Sequence, residues 1–125
     1  MSIKDSLLVL EASTTKTADY QSTAITAPDL DNDYIGKAVI PVTACDFTTT
    51  DETYIMYLEV YDGTSYYKVG CVEIPGGVTG TYEIGFSGRS AKLQAVAADI
   101  EGVRLNLDVS GTTPSITFEG FLAPL

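Results

Sequence analysis

Along this chain the hydrophobic residues recur at every second position in short runs, and clusters of Gly, Pro, Asp and Thr separate the runs. That pattern predicts an all-β domain. The clearest strand is Val103-Arg104-Leu105-Asn106-Leu107-Asp108-Val109, apolar at every odd position and polar at every even one. A period of two with one buried face follows. The run stops at Ser110-Gly111-Thr112-Thr113-Pro114, and Ser115 to Leu122 then alternates again, with Ile116, Phe118, Gly120 and Leu122 on one face. Thr53 to Tyr61 puts Tyr54, Met56, Leu58 and Val60 on one face and Ile55, Tyr57, Glu59 and Tyr61 on the other. Asp62-Gly63-Thr64-Ser65 predicts a hairpin turn, Tyr66 to Ile74 its partner strand, and Pro75-Gly76-Gly77 the next turn. Tyr82, Ile84 and Phe86 mark a further strand, alternating with Glu83 and Gly85. Ile35 to Cys45 supplies another. Pro41 lies inside it and lacks a donor, so this strand is expected at a sheet edge or broken in two.

Eight or nine strands without a long helix predict two packed antiparallel sheets, a β-sandwich. Residues 90–101 fit both helical spacing and alternation and are read as a loop with one helical turn. Residues 1–30 form an extended N-terminal arm or first strands, and 31–125 the sandwich, within a single domain. Ser13 to Thr26 is rich in hydroxyls and poor in large apolar groups. Leu7, Leu8, Val9 and Leu10 are its apolar anchor, in a run that fits an ordinary first strand equally well.

Composition then narrows function. At 125 residues, the chain buries about two-thirds of its unfolded surface and supports a core without staples. Seven basic against 17 acidic residues give −10 at neutral pH, and threonine and serine make up 25 residues. A surface this acidic repels phosphate backbones and anionic lipid, so neither nucleic acid nor membrane is an expected partner. The absence of histidine excludes Ser-His-Asp triads, histidine proton shuttles and the common zinc-hydrolase sites. The Leu7–Leu10 run is shorter than the roughly 7–15 apolar residues of a secretory signal. Nothing approaches the ~18 of a membrane span. Synthesis in a cytoplasm is therefore expected, with Cys45 and Cys71 as two small, half-buried, unpaired side chains.

The candidate chemistry is thin. Asp29-Leu30-Asp31-Asn32-Asp33 is like the start of a calcium loop, but the glycine position holds Tyr34 and the bidentate glutamate position Ile40. A solvated acidic loop is expected, with no metal. Glu59, Glu73, Glu83 and Glu119 lie on predicted strands, yet nothing selects from them the facing carboxylate pair, about 5–9.5 Å apart, of a glycosidase. Gly85-Phe86-Ser87-Gly88 lacks the spacing of a nucleophile elbow. Arg89 after it reads as a surface residue, and no phosphate loop is present. Neither an enzyme nor a cofactor is expected. Tyr54, Tyr57, Tyr61, Tyr66 and Tyr67 gather in one hairpin, which suits a cross-strand ladder, a protein interface or a sugar platform. The lack of tryptophan counts against sugar. Tyr57, Tyr61 and Tyr66 are the interface candidates.

Both ends of the chain resemble a known family. Asp5-x-x-Leu8-x-Leu10, Thr15-Lys16-Thr17-Ala18 and Ser22-Thr23 resemble the start of small cement (decoration) proteins on tailed-bacteriophage capsids. Val103-Arg104-Leu105-Asn106-Leu107, Ser110-Gly111-Thr112-Thr113-Pro114 and Ile116-Thr117 are similar to the end of that family. Between them come a proline-containing strand, a Phe47-Thr-Thr-Thr loop, a long strand pair and a Gly-rich turn, in the family's order. Where the family has aspartate-leucine-glycine, this chain has Asp29-Leu30-Asp31. The resemblance implies a jelly-roll-like β-sandwich, a structural virion protein made in the host cytoplasm and carried on the capsid exterior. There a homo-oligomer, dimer or trimer, ties neighbouring major capsid protein subunits together. On this reading the N-terminal arm helps to dock the domain through Ile3, Leu7, Leu8 and Leu10, with its threonine-rich segment adding hydrogen bonds along a partner's backbone. The competing reading is a carbohydrate- or receptor-binding sandwich of a phage tail structure, using the tyrosine hairpin.

The failed calcium pattern generates a first prediction. Chelator added to the purified protein leaves its melting temperature unchanged in a thermal scan, whereas a structural calcium ion would show as a fall.

Overall fold

A computed structural model describes residues 8–26, 35–89, 91 and 100–124. Nine strands run in chain order: β1 (Val9–Lys16), β2 (Tyr20–Gln21), β3 (Ile25–Thr26), β4 (Ile35–Cys45), β5 (Thr53–Tyr61), β6 (Tyr66–Ile74), β7 (Gly80–Ser87), β8 (Gly102–Ser110) and β9 (Ile116–Pro124). They form two antiparallel sheets, one ordered β1-β9-β4-β7 and the other β2-β8-β5-β6, with β3 also on β8. The inner faces pack together as a sandwich. From one sheet come Tyr54, Met56, Leu58, Val60, Val103, Leu105 and Leu107; from the other come Ala38, Ile40, Val42, Ile84, Phe118 and Leu122. These are the apolar positions of the alternating runs. A second, small buried cluster of Val39, Phe121 and Ala123 lies on the alternate positions of β4 and β9.

Pro41 corrects the expectation of an edge strand. β4 is central, paired with β9 on one side and β7 on the other. Its register with β9 runs from Gly36 to Val39 and resumes at Val42, with a bulge before Ala44, so the residue without an N–H sits where pairing lapses. The hairpin follows the predicted turn. Gly63 has φ +101°, and the Thr64 and Ser65 amides both donate to the Asp62 carboxylate at 2.8 Å. Those two bonds, Ser65 first, hold the Asp62 carboxyl below its ordinary pKa. A register shift opposite Leu58 and Glu59 follows in β6. It leaves Tyr67, Val69 and Val72 against the core and brings Gly70 under β7, where a Cβ would lie 2.6 Å from Ile84.

The hydroxyl-rich segment is woven into both sheets. β1 pairs with β9, while β2 and β3 pair with β8. Buried Ser22 exchanges backbone bonds with Leu105, donating its amide at 2.9 Å and accepting the Leu105 amide on its hydroxyl at 2.8 Å. The Asp19 carboxylate accepts the Val109 amide at 2.8 Å. Short polar side chains are what this segment needs, because they bond a neighbouring backbone that has no strand beside it there. Leu10 is 3% exposed in the main core. Cys45 is buried and Cys71 exposed, and both are free thiols, so the expectation that both are half-buried fails. Gly88, Arg89 and Ala91 are helical; most of 90–101 lies outside the described residues, as do Ile3, Leu7 and the Asp29–Asp33 stretch.

Gly111 carries the sharpest backbone demand. Its φ is +111°, and a Cβ there would lie 2.7 Å from the Glu52 Cα and 2.8 Å from the Asp51 carbonyl oxygen. Gly111→Ala is expected to cost about 2–4 kcal/mol, since both the left-handed backbone and the contact with rigid main chain oppose it. Urea denaturation measures this, and a loss within about 0.5 kcal/mol, the range of a neutral surface change, would contradict it.

Candidate interaction surfaces

Two surfaces stand out, and the sheet built around β5 supplies the first. Its outward positions bring Tyr57, Glu59 and Tyr61 of β5 beside Arg104 and Asn106 of β8 and Tyr66 and Lys68 of β6. Glu59 faces Arg104 on one side and Lys68 on the other, and only 5% of it is exposed. A carboxylate buried on an outer face needs partners to offset its lost hydration. Arg104 Nε donates to Glu59 Oε1 at 2.8 Å and Asn106 Nδ2 to Glu59 Oε2 at 3.0 Å. Gln21 Nε2 of β2 in turn donates to the Asn106 side-chain oxygen at 3.1 Å. One hydrogen-bonded chain therefore spans β2, β8 and β5.

The rings complete this lock. The Arg104 guanidinium carbon lies 3.4 Å from the Tyr66 ring centroid, and the Tyr61 ring stacks on Tyr66 at 4.6 Å and 26°. Two flat groups this near one centroid cannot share a face, so Tyr66 is layered between them. Lys68 caps Tyr57 at 4.0 Å, and Lys16 caps Tyr20 at 3.9 Å. Cation–π contacts of this kind contribute about 0.5–1 kcal/mol each where exposed. Tyr61 also donates its hydroxyl to the Gly63 carbonyl at 2.8 Å. Tyr57, Tyr61 and Tyr66 are thus brought together as the sequence expects, with their ring faces engaged by neighbours. Tyr54 and Tyr67 point the other way.

The anchor residues fare differently. Leu8 packs against the core and Leu10 is part of it. Leu10 is therefore not a surface for docking: on β1 it falls on the inward side of a strand that a sandwich must cover. Of the strand glutamates, Glu59 is locked as described, and Glu83 on the opposite sheet pairs with Lys37 at 2.9 Å. Among the described residues, no three His, Cys, Asp or Glu side chains converge on a metal position.

The second surface is the end of the sandwich where three loops meet: 46–52, 75–79 and 111–115. Buried Tyr54 ties two of them. Its hydroxyl donates to the Asp46 carbonyl at 2.7 Å and accepts the Ser115 amide at 3.0 Å, and burial raises its pKa. The Asp46 amide reaches the Ser115 carbonyl at 2.8 Å, and the Gly77 amide reaches the Cys45 carbonyl at 2.9 Å. Asp51 accepts the Thr112 amide and hydroxyl at 3.1 and 2.6 Å. Glu52, 1% exposed, accepts the Thr49 amide at 3.0 Å and the Thr49 hydroxyl. On this braced end Phe47 is 42% and Val78 50% exposed. A Cβ on Gly76 would overlap the Phe47 ring, so the glycine is what seats it. A shallow groove of about 300 Å³, lined by Asp19, Thr53, Ile55, Asp108, Val109 and Ser110, adjoins this end on the β5 sheet. Alternation cannot find Phe47, which lies in a loop; the Gly76-Gly77 pair was the available signal.

The Glu59 lock generates a prediction. Arg104→Met leaves a buried carboxylate without its cation and is expected to cost about 3 kcal/mol or more. The double variant Glu59→Gln with Arg104→Met recovers much of that loss in chemical denaturation. Equal losses in the single and double variants would contradict the pairing. Compared with known proteins, the chain matches no family model, and no curated protein is similar enough to count as a relative.

Proposed function

We propose that this protein is a structural virion component, a capsid decoration protein that sits on the outer surface of a tailed-phage head and ties neighbouring major capsid subunits together. The resemblance at both chain ends supplies the identity, and with it a jelly-roll-like chain path and a small homo-oligomer. The observation that carries the reading is the closed network on the outer face of the β5 sheet. Gln21, Asn106, Glu59 and Arg104 join three strands, and the Arg104–Tyr66–Tyr61 stack reaches a fourth. Fully partnered polar networks rigidify the elements they join. A stiff plate whose rings are already stacked suits a clamp between proteins better than a platform that must offer open ring faces to sugar.

The charge is consistent with this role. A net −10 keeps copies apart and soluble before assembly, and outside a shell the protein does not compete for packaged DNA. Many copies on one lattice gain from multivalency, so each interface need bury little area.

The test uses purified heads that lack decoration. The protein is expected to co-sediment with them saturably and to raise their disruption temperature, while a glycan array stays blank. Failure to co-sediment, or reproducible saturable binding to a glycan, would overturn the reading in favour of the tail-structure alternative.

A further inference from the structure

We propose that the loop end carrying Phe47 and Val78 is the surface through which this protein docks, and that its partner is a different protein presenting an apolar pocket rimmed by lysine and arginine. The inference deepens the reading of a protein-binding module and rests on it. Three of the described large hydrophobics are exposed, Ile35, Phe47 and Val78. Two of them share this end, where the Phe47 ring lies over Gly76 and the Phe47 Cβ beside Gly77. Exposed apolar groups brought together inside a polar rim mark interaction sites, and a central aromatic is a frequent energetic anchor.

The rim defines the partner. Asp19, Asp46, Asp51, Glu73 and Asp108 all lie on this half of the sandwich, as the registers of β5, β6 and β8 place them. Among the described residues, the basic group on this half is Lys16, at the β1 end beside Ile116, with its ammonium over the Tyr20 ring. Lys37, Lys68 and Arg104 fall on the other half, paired or stacked with Glu83, Tyr57 and Glu59, and exposed Arg89 follows β7 there. Two copies meeting through this end would bring like charges together. Head-to-tail contact would offer this acidic rim Arg89 and three cations already engaged by their own chain. A basic-rimmed surface on another protein complements this end in both charge and apolarity.

The end is also pre-organised. Tyr54, Asp51 and Glu52 tie its loops by the bonds described above, so docking orders little that is not already ordered. Val78 is free to be changed without touching the core.

The test has two arms. In the first, peptides are selected from a naive random library on the immobilised protein. The enriched sequences are expected to carry an aromatic or leucine flanked by Lys or Arg and to shift the ¹⁵N amide resonances of 46–52, 76–79 and 111–115. Their affinity falls several-fold as salt rises from about 50 to about 300 mM, and about tenfold or more in Phe47→Ser/Val78→Ser. Val78→Lys, at a half-exposed position outside the core, weakens them while the melting temperature holds. Neutral or acidic winners, shifts elsewhere, no enrichment, or binding unchanged in these variants would each overturn the proposal. In the second arm the same variants are offered to decoration-free heads. Binding by the unmodified chain but undiminished binding by the variants overturns the docking end and leaves decoration standing. Peptides that map to the loop end of a chain that ignores heads retain the docking end and reject decoration.

Discussion

Strand β5 meets two opposite demands on alternate residues, and the register that satisfies both constrains the rest of the sandwich. Tyr54, Met56, Leu58 and Val60 are fully buried on one face, each contributing about 1.5–3 kcal/mol by leaving water. Between them, on the other face, stands Glu59, buried yet charged and held by Arg104 and Asn106. A slip of one residue would carry Glu59 into the apolar core and expose all four large side chains. No alternative pairing of β5 with β8 satisfies both faces. β8 is pinned in register by its Arg104 and Asn106, and β6 by the Tyr61–Tyr66 and Tyr57–Lys68 pairs. The polar lock thus sets which residues pair, while apolar burial supplies most of the stability.

The same strand organises the loop end. Tyr54 is the first core residue of β5, and its hydroxyl, carried to the rim of the core, must find partners there because burial removes water. It finds them in Asp46 and Ser115, one residue from β4 and one from β9 respectively. A core side chain therefore fixes the spacing between loops that belong to the opposite sheet. With that spacing set, Phe47 and Val78 have defined positions despite their exposure. Rigidity at this end is inherited from the core and does not require a bound partner.

Much of this was legible in the residues, and the remainder has a physical reason for being hidden. Period-two alternation located β5 to β9, because a half-buried strand must alternate. It could not show that β4 is central, since Pro41 argues for an edge unless one knows that the pairs with β9 lapse between Val39 and Val42. Leu10 and Leu8 read as a sticky anchor in sequence; the fold uses Leu10 as core, because β1 is an edge strand with an inward side. Glu59 looked like an ordinary outward glutamate. Its burial depends on Arg104, some 45 positions later, and long-range pairs of this kind leave no local signature. The tyrosine cluster was visible, but ring coverage depends on where Lys68 and Arg104 extend, and this changes a platform into a lock.

In the proposed role, solubility and adhesion place conflicting requirements on this protein, which would accumulate before it assembles. An exposed aromatic on a rigid end invites self-association, and a β-sandwich adds open strand edges that invite more. Here Asp19, Asp46, Asp51, Glu73 and Asp108 lie on the same half as Phe47 and Val78, so the group that adheres stands beside charge that repels a second copy. Attraction is recovered only when the approaching surface brings cations, and these turn the repulsive rim into a steering field. Lys37, Lys68 and Arg104 serve this arrangement by being engaged inside their own chain, which reduces the complementary surface that head-to-tail polymerisation would need. The acidity that in composition alone argued against nucleic acid and membranes would, on the proposed docking end, act locally, discriminating between a copy of the chain and a partner.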